Sequence, residues 1–140
     1  MRITRTVSST KPISEVFRYL SNFTSTNDWD PGTVKTELVQ GDGKVGTVYH
    51  NRSRFNGRES ELIYVVTDYV ENSLIRLRGE NKSIVAVDTI TFVETSSGCD
   101  VTYDANFTLK GLAKIAGLFL GKAFKVLGDE AEVGLRKAIN

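Results

Sequence analysis

The chain has little of the chemistry that most readily announces a function. It holds one cysteine, Cys99, so no disulfide can form within it, and one histidine, His50. A single Cys and a single His do not make up the ligand set of a structural zinc site. No nucleotide-binding motif and no Ser/His/Asp arrangement can be recognised, so no cofactor and no metal are expected. No apolar run reaches the roughly eighteen residues that span a bilayer. The first residues, MRITRTVSS, lack the apolar segment of a signal peptide. A cytoplasmic protein without stable membrane insertion is therefore expected, in which the Asn-x-Ser/Thr triplets at Asn22, Asn51, Asn81 and Asn106 have no consequence. Excess charge is missing as well: 18 Lys+Arg against 17 Asp+Glu leave a formal net charge of +1. No overall pull toward nucleic acid follows from that balance, although a local basic patch stays open. Proline is scarce, with only Pro12 and Pro31, and no repeat, linker or low-complexity stretch interrupts the chain.

What is present is an ordinary globular mixture. The 140 residues are 40% hydrophobic and 25% charged, which suits one domain spanning the whole chain, with a core that needs no covalent staples. Residues 2–8 alternate Ile3 and Val7 with polar neighbours and read as a strand. Pro12 suits a first helical turn, and Ile13, Val16, Phe17 and Leu20 recur at helical spacing, which predicts a helix over 12–20. A short helix or turn follows over 22–29 and ends at Asp30-Pro31-Gly32. From residue 33 the period becomes two. Strands are expected at 33–40, 46–56, 58–70, 73–79, 84–95 and 99–109, joined by turn residues such as Asn56-Gly57, whose tolerance of positive φ marks a hairpin. Short joints imply an antiparallel meander.

Helical period returns over 110–139. Leu112, Ile115, Ala116, Phe119, Leu120, Ala123, Val126 and Leu127 form an apolar half, while Lys114, Lys122 and Lys125 lie opposite. Gly128 is expected to bend or loosen this helix, and Gly117 and Gly121 to make it easier to displace. The class is thus α+β: a curved antiparallel sheet of about seven strands wrapped around a long C-terminal helix, with two short helices after the first strand to plug the gap.

Strand parity nominates an interior. Tyr49, Asn51, Ser53 and Phe55 should point inward from one strand, and Asp88 and Phe92 from another together with Ile84, Ala86 and Ile90. Tyr103 and Phe107 should do so from the last strand. The 58–70 segment carries apolar residues on both faces and leaves its parity open, with a bulge one explanation. Trp29 is a candidate to close the interior at the helical plug, or a core anchor; Ile115 and Phe119 face inward from the last helix. Asp88 stands out, because a carboxylate on an apolar face needs a partner or a raised pKa. It is the candidate catalytic residue, as a general acid/base, or an anchor for a ligand hydroxyl, or a structural carboxylate held by Tyr, Arg or backbone. Tyr49 and Tyr103 could donate to a ligand carbonyl or be satisfied by neighbours. His50 falls on the outer face beside Arg52 and Arg54. Arg52, Arg54 and Arg58 read as a solvated hairpin, with phosphate or RNA binding the other reading. Cys99 reads as structural.

Several segments, taken in order, resemble the START-like superfamily with the helix-grip fold, and within it the bacterial polyketide cyclase/dehydrase and lipid-transport group. They are Pro12-Ile13-Ser14-Glu15-Val16-Phe17, Trp29-Asp30-Pro31-Gly32, Gly46-Thr47, Val66-Thr67-Asp68-Tyr69, Asp88-Thr89-Ile90-Thr91-Phe92, Gly98-Cys99-Asp100-Val101-Thr102-Tyr103 and Lys110-Gly111-Leu112. Gly98-Cys99 stands where many relatives carry Gly-Thr. The resemblance implies a fold rather than a function. Three functions remain in view: binding or transport of an apolar small molecule such as a lipid, polyketide or aromatic metabolite, with that molecule the expected partner; cyclase/dehydratase chemistry on a polyketide-like substrate; and a protein-interaction role, including that of a toxin component.

Overall fold

The computed structural model describes residues 1–111 and 120–140. Its elements run β1 (Arg2–Ser9), α1 (Ile13–Ser21), a 3-10 turn (Phe23–Ser25) and α2 (Thr26–Trp29). The meander follows as β2 (Thr33–Gln40), β3 (Val48–Phe55), β4 (Arg58–Val70), β5 (Leu74–Glu80), β6 (Ile84–Thr95) and β7 (Gly98–Leu109). The chain ends in α3 (Gly121–Ala138). The seven strands form one antiparallel sheet in the order β1-β7-β6-β5-β4-β3-β2. Consecutive pairing from β2 to β7 follows from the short turns: between β3 and β4, Asn56 and Gly57 both take positive φ, 53° and 78°, as a two-residue hairpin of this hand requires. β1 closes onto β7, so β1 and β2 are the two edges, and α1, the 3-10 turn and α2 carry the chain from one to the other.

The expected α+β architecture is the one observed. β3 begins at Val48 rather than at residue 46, because Gly46 takes a φ of 92° in the joint. The open parity of β4 resolves as an inward set of Leu62, Tyr64 and Val66, followed by a register shift between Val66 and Asp68. That bulge inserts Thr67 and turns Tyr69 inward against Phe17, with ring centroids 5.3 Å apart.

The last helix differs from its sequence wheel. Val126 is exposed, and the buried stripe passes instead through Phe124, Gly128, Ala131, Leu135 and Ile139, at the i, i+3/i+4 spacing of a single helix face. Gly128 does not break the helix, which runs unbroken through it. It is a point of close approach: a Cβ there would lie 2.6 Å from Cγ2 of Ile3 on β1. Gly134 serves α2 in the same way, since a Cβ would lie 2.0 Å from the carbonyl oxygen of Trp29. The expected inward positions Leu112, Ile115, Ala116 and Phe119, with Lys114 and Gly117, lie outside the described residues. Among the described residues, no helix is long and apolar enough to cross a membrane.

Candidate functional site

The inner face of the sheet is packed at one end and hollow at the other. At the packed end, Phe17 of α1 stacks edge-on against Phe92 of β6, with centroids 5.0 Å apart, amid Val7, Leu20 and Val101. At the other end a cavity of about 450 Å³ lies between β3, β4, β6, β7, the turn after α2, and α3. That is within the size range of small-molecule sites. Phe55, Phe107 and Phe124 form one apolar wall, with Phe124 4.5 Å from Phe55 and 5.2 Å from Phe107 between centroids. The β3–β4 hairpin, with Arg54, Arg58 and Glu59, forms the exposed rim.

Besides Glu59 at the rim, two carboxylates lie in the lining. Asp30 follows α2, whose position is set by Trp29. The Trp29 indole is buried, donates to Ser25 Oγ at 3.2 Å and packs edge-on over Tyr103, centroids 5.3 Å apart. Asp30 accepts from the Gly32 backbone N–H at 3.0 Å and from Thr33 Oγ1 at 3.0 Å. The second bond continues a polar chain in which Asn51 Nδ2 reaches Thr33 Oγ1 at 3.4 Å and Thr36 Oγ1 at 2.8 Å, and the Thr36 hydroxyl meets that of Thr26 at 2.6 Å. Burial pushes the Asp30 carboxyl above the usual carboxylate range, against the pull of those two hydrogen bonds.

Asp88 is different. It sits on β6 opposite Ala105 of β7 and Leu77 of β5, is 3% exposed, and its Oδ1 has no hydrogen-bond partner among the described residues. Its pKa is pushed up to about 7, first by burial and then by the negative charge of Asp30, while the Tyr64 phenol favours the ionised form. Tyr64 leans across β5 toward β6 because residue 79 is glycine; a Cβ there would lie 2.7 Å from the Tyr64 ring. Burial, and next the Asp88 charge, hold the phenols of Tyr64 and Tyr103 well above their ordinary pKa, so both remain neutral hydroxyls. The site therefore presents a poorly satisfied carboxyl that can exist in either protonation state near neutral pH, beside two phenols.

Of the residues nominated from sequence, Asn51, Ser53, Phe55, Asp88, Tyr103 and Phe107 line this cavity. Trp29, Tyr49 and Phe92 do not. Trp29 is the support behind Tyr103, and Phe92 belongs to the packed end. Tyr49 is buried against Phe23, centroids 5.7 Å apart, and borders a separate cleft near Arg18 and Tyr69. Ile115 and Phe119 lie outside the described residues. Sequence reasoning missed Asp30, Tyr64 and Phe124. His50 faces outward as expected, with Nε2 3.5 Å from Oε2 of Glu61. Cys99 is fully buried and its Sγ points to the Lys11 carbonyl oxygen at 3.9 Å. Arg54 pairs with Glu59 at 3.0 Å, which favours the solvated-hairpin reading of that cluster. Among the described residues, no three His, Cys, Asp or Glu side chains gather as a metal site would need.

A curved antiparallel sheet of seven strands with a C-terminal helix over its inner face, enclosing a hollow, is the START-like helix-grip architecture. The chain belongs to the polyketide cyclase/dehydrase and lipid transport family, whose model matches residues 1–138. It is similar in structure to the Zhui aromatase/cyclase from Streptomyces sp. R1128, with a TM-score of 0.81 at 12% identity over 99% of this chain and 93% of that one. Protein TTHA0849 from Thermus thermophilus superposes with a TM-score of 0.76 at 16% identity, over 99% of this chain and 95% of that one. The di-domain aromatase/cyclase BexL from the BE-7585A biosynthetic pathway gives 0.73 at 12% identity, over 100% of this chain and 50% of that one. At such identities the likeness is one of fold. No curated protein matches the sequence.

Proposed function

We propose that the protein binds a largely apolar small molecule in the cavity between the sheet and α3, with a polar group of the ligand directed at Asp88. The observation that carries this reading is the unpartnered Oδ1 of Asp88, buried in the wall of a 450 Å³ hollow. An unmet buried acceptor is costly to folding, by roughly 1–3 kcal/mol. A ligand donor would remove that cost while the aromatic walls take up its apolar body. Family membership supports the same class of ligand.

A second reading is favoured by one specific observation. A carboxyl with a pKa of about 7, beside the neutral phenols of Tyr64 and Tyr103, is poised for proton transfer. On a substrate held in the right fold, it would serve a cyclase or dehydratase, taking a proton from carbon or giving one to a departing hydroxyl.

Native mass spectrometry of protein purified from its own host tests the first reading. A released lipid or aromatic metabolite supports it and names the ligand class. If nothing co-purifies, and no member of a panel of fatty acids, sterols and aromatic polyketides raises the melting temperature, the reading fails. Turnover of a bound polyketide-like substrate that is lost in Asp88→Asn would favour the enzyme.

A further inference from the structure

We propose that the ligand's polar group is a cation, so that the cavity selects amphiphilic amines over neutral or acidic molecules of the same shape. This deepens the binding reading above and rests on it. Two carboxylates, Asp30 and Asp88, line one apolar hollow inside its exposed rim, where Glu59 lies. Neither forms an ion pair: the salt bridges among the described residues engage other acids. The charged groups acting on Asp88 are themselves acids, Asp30 and then Asp104, and the charge acting on Asp30 is Glu130 of α3. Of the nearby arginines, three are held by acids and Arg58 stands outside the hollow at its rim. Arg5 of β1 is held by Asp129 at 2.7 Å and Glu132 at 3.4 Å, and Arg2 pairs with Asp104 on the outer face. At the rim, Arg54 is paired with Glu59, and Arg58 is exposed at the hairpin tip. Among the described residues, the interior of the hollow is thus short of positive charge.

The two acids have unequal roles. Both oxygens of Asp30 already accept hydrogen bonds, whereas Asp88 keeps Oδ1 open. An ammonium N–H donated to Oδ1 would meet a carboxylate whose desolvation has already been borne in folding, so the ligand loses only its own hydration. Phe23, Tyr64 and Tyr103 line the same cavity, and a cation that meets the π face of such a ring is favoured further. A protonated Asp88 would instead suit a ligand carbonyl. The two possibilities separate with pH, because only the amine requires the ionised form.

Isothermal titration calorimetry with three probes of one shape, 2-naphthylmethylamine, 2-naphthylmethanol and 2-naphthoic acid, provides the test. At pH 8 the amine should bind at least tenfold more tightly than the alcohol, and the acid most weakly. The preference for the amine should shrink as the pH is lowered to 5 and Asp88 takes up a proton. Asp88→Asn, checked for folding by circular dichroism, should bring amine and alcohol to within about twofold of each other. Asp30→Asn should reduce the preference less, since its oxygens are already engaged. Equal affinity for amine and alcohol at pH 8, or an amine preference that survives in Asp88→Asn, would overturn the inference while leaving a binding cavity in place. Failure of all three probes to bind would remove the inference together with the binding reading.

Discussion

The same strands build a solid core at one end of the molecule and a hollow at the other. β6 offers Ile90 and Phe92 to the packed end and Asp88 to the hollow; β7 offers Val101 to the first and Tyr103 and Phe107 to the second. On β3 and β4 the hollow is lined by Asn51, Ser53 and Ser60, and from α3 by Gly128 and Ala131, positions where larger apolar residues would fill it. The difference lies in the size and polarity of side chains on one continuous inner face. Close packing is the default of a protein interior, so a volume this large is a feature that sequence has to maintain. The packed end holds the sheet curved, and the hollow end is left free to receive a ligand.

The comparison can be broken most sharply at Trp29, which belongs to the support behind the cavity. Trp29→Ala should destabilise the protein by about 4 kcal/mol in urea unfolding, the range for a fully buried aromatic. Phe107→Ala, at the half-buried hollow end, should cost less than half as much. Equal costs would mean that the hollow end is as tightly packed as the other.

The next largest effect is expected at Asp88 and depends on pH. A raised folded-state pKa means that the folded protein holds its proton more tightly than the unfolded chain. Stability contributed by this group is therefore greatest below the ordinary carboxylate pKa of 3.8, and falls as the pH rises toward about 7. Above that, the wild type carries the full cost of a buried charge. Asp88→Asn should remove the dependence and be more stable than wild type at pH 8, by a few kcal/mol. Denaturant melts at pH 4, 6 and 8 would show the two curves diverging; parallel curves would mean that Asp88 is ionised and satisfied throughout.

Gly128→Ala sharpens the contact between α3 and β1. The added methyl would press on Ile3 Cγ2, at 2.6 Å, and the loss should be about 1–2 kcal/mol despite alanine's better helix propensity. The smallest effect belongs to the rim. Glu59→Gln removes the exposed pair with Arg54 and should change stability by less than about 0.5 kcal/mol.

The inward faces of β3, β6 and β7 are legible because a sheet with one wet face imposes a period of two on its sequence. The same regularity exposed Asp88 as the odd member of an apolar row. Asp30 was hidden because it belongs to the Asp-Pro-Gly turn, where an acid is ordinary turn chemistry and no period says which way it points. Its one signal was the neighbouring tryptophan, which had to be buried somewhere. Tyr64 was hidden by the bulge after Val66, which reverses parity within β4 and puts apolar residues on both faces of the segment. The Ser60-Leu62-Tyr64-Val66 alternation ahead of the bulge was the usable trace. On the last helix an ideal helical wheel takes in Val126, and glycine on it reads as a weak point. A glycine at the centre of the buried stripe instead marks where helix and sheet come closest. Family resemblance carried the fold, but the pairing of two carboxylates in one hollow is a property of tertiary structure alone.

The most direct test of the account is a titration of the Asp88 carboxyl by carbon-13 NMR in the free protein, assigned with Asp88→Asn. The account predicts a midpoint near 7, and a displaced midpoint once a ligand fills the cavity. A midpoint near 4 that no ligand moves would show Asp88 to be solvated or already partnered, and would contradict the claim that this end of the molecule is built around an unmet acid.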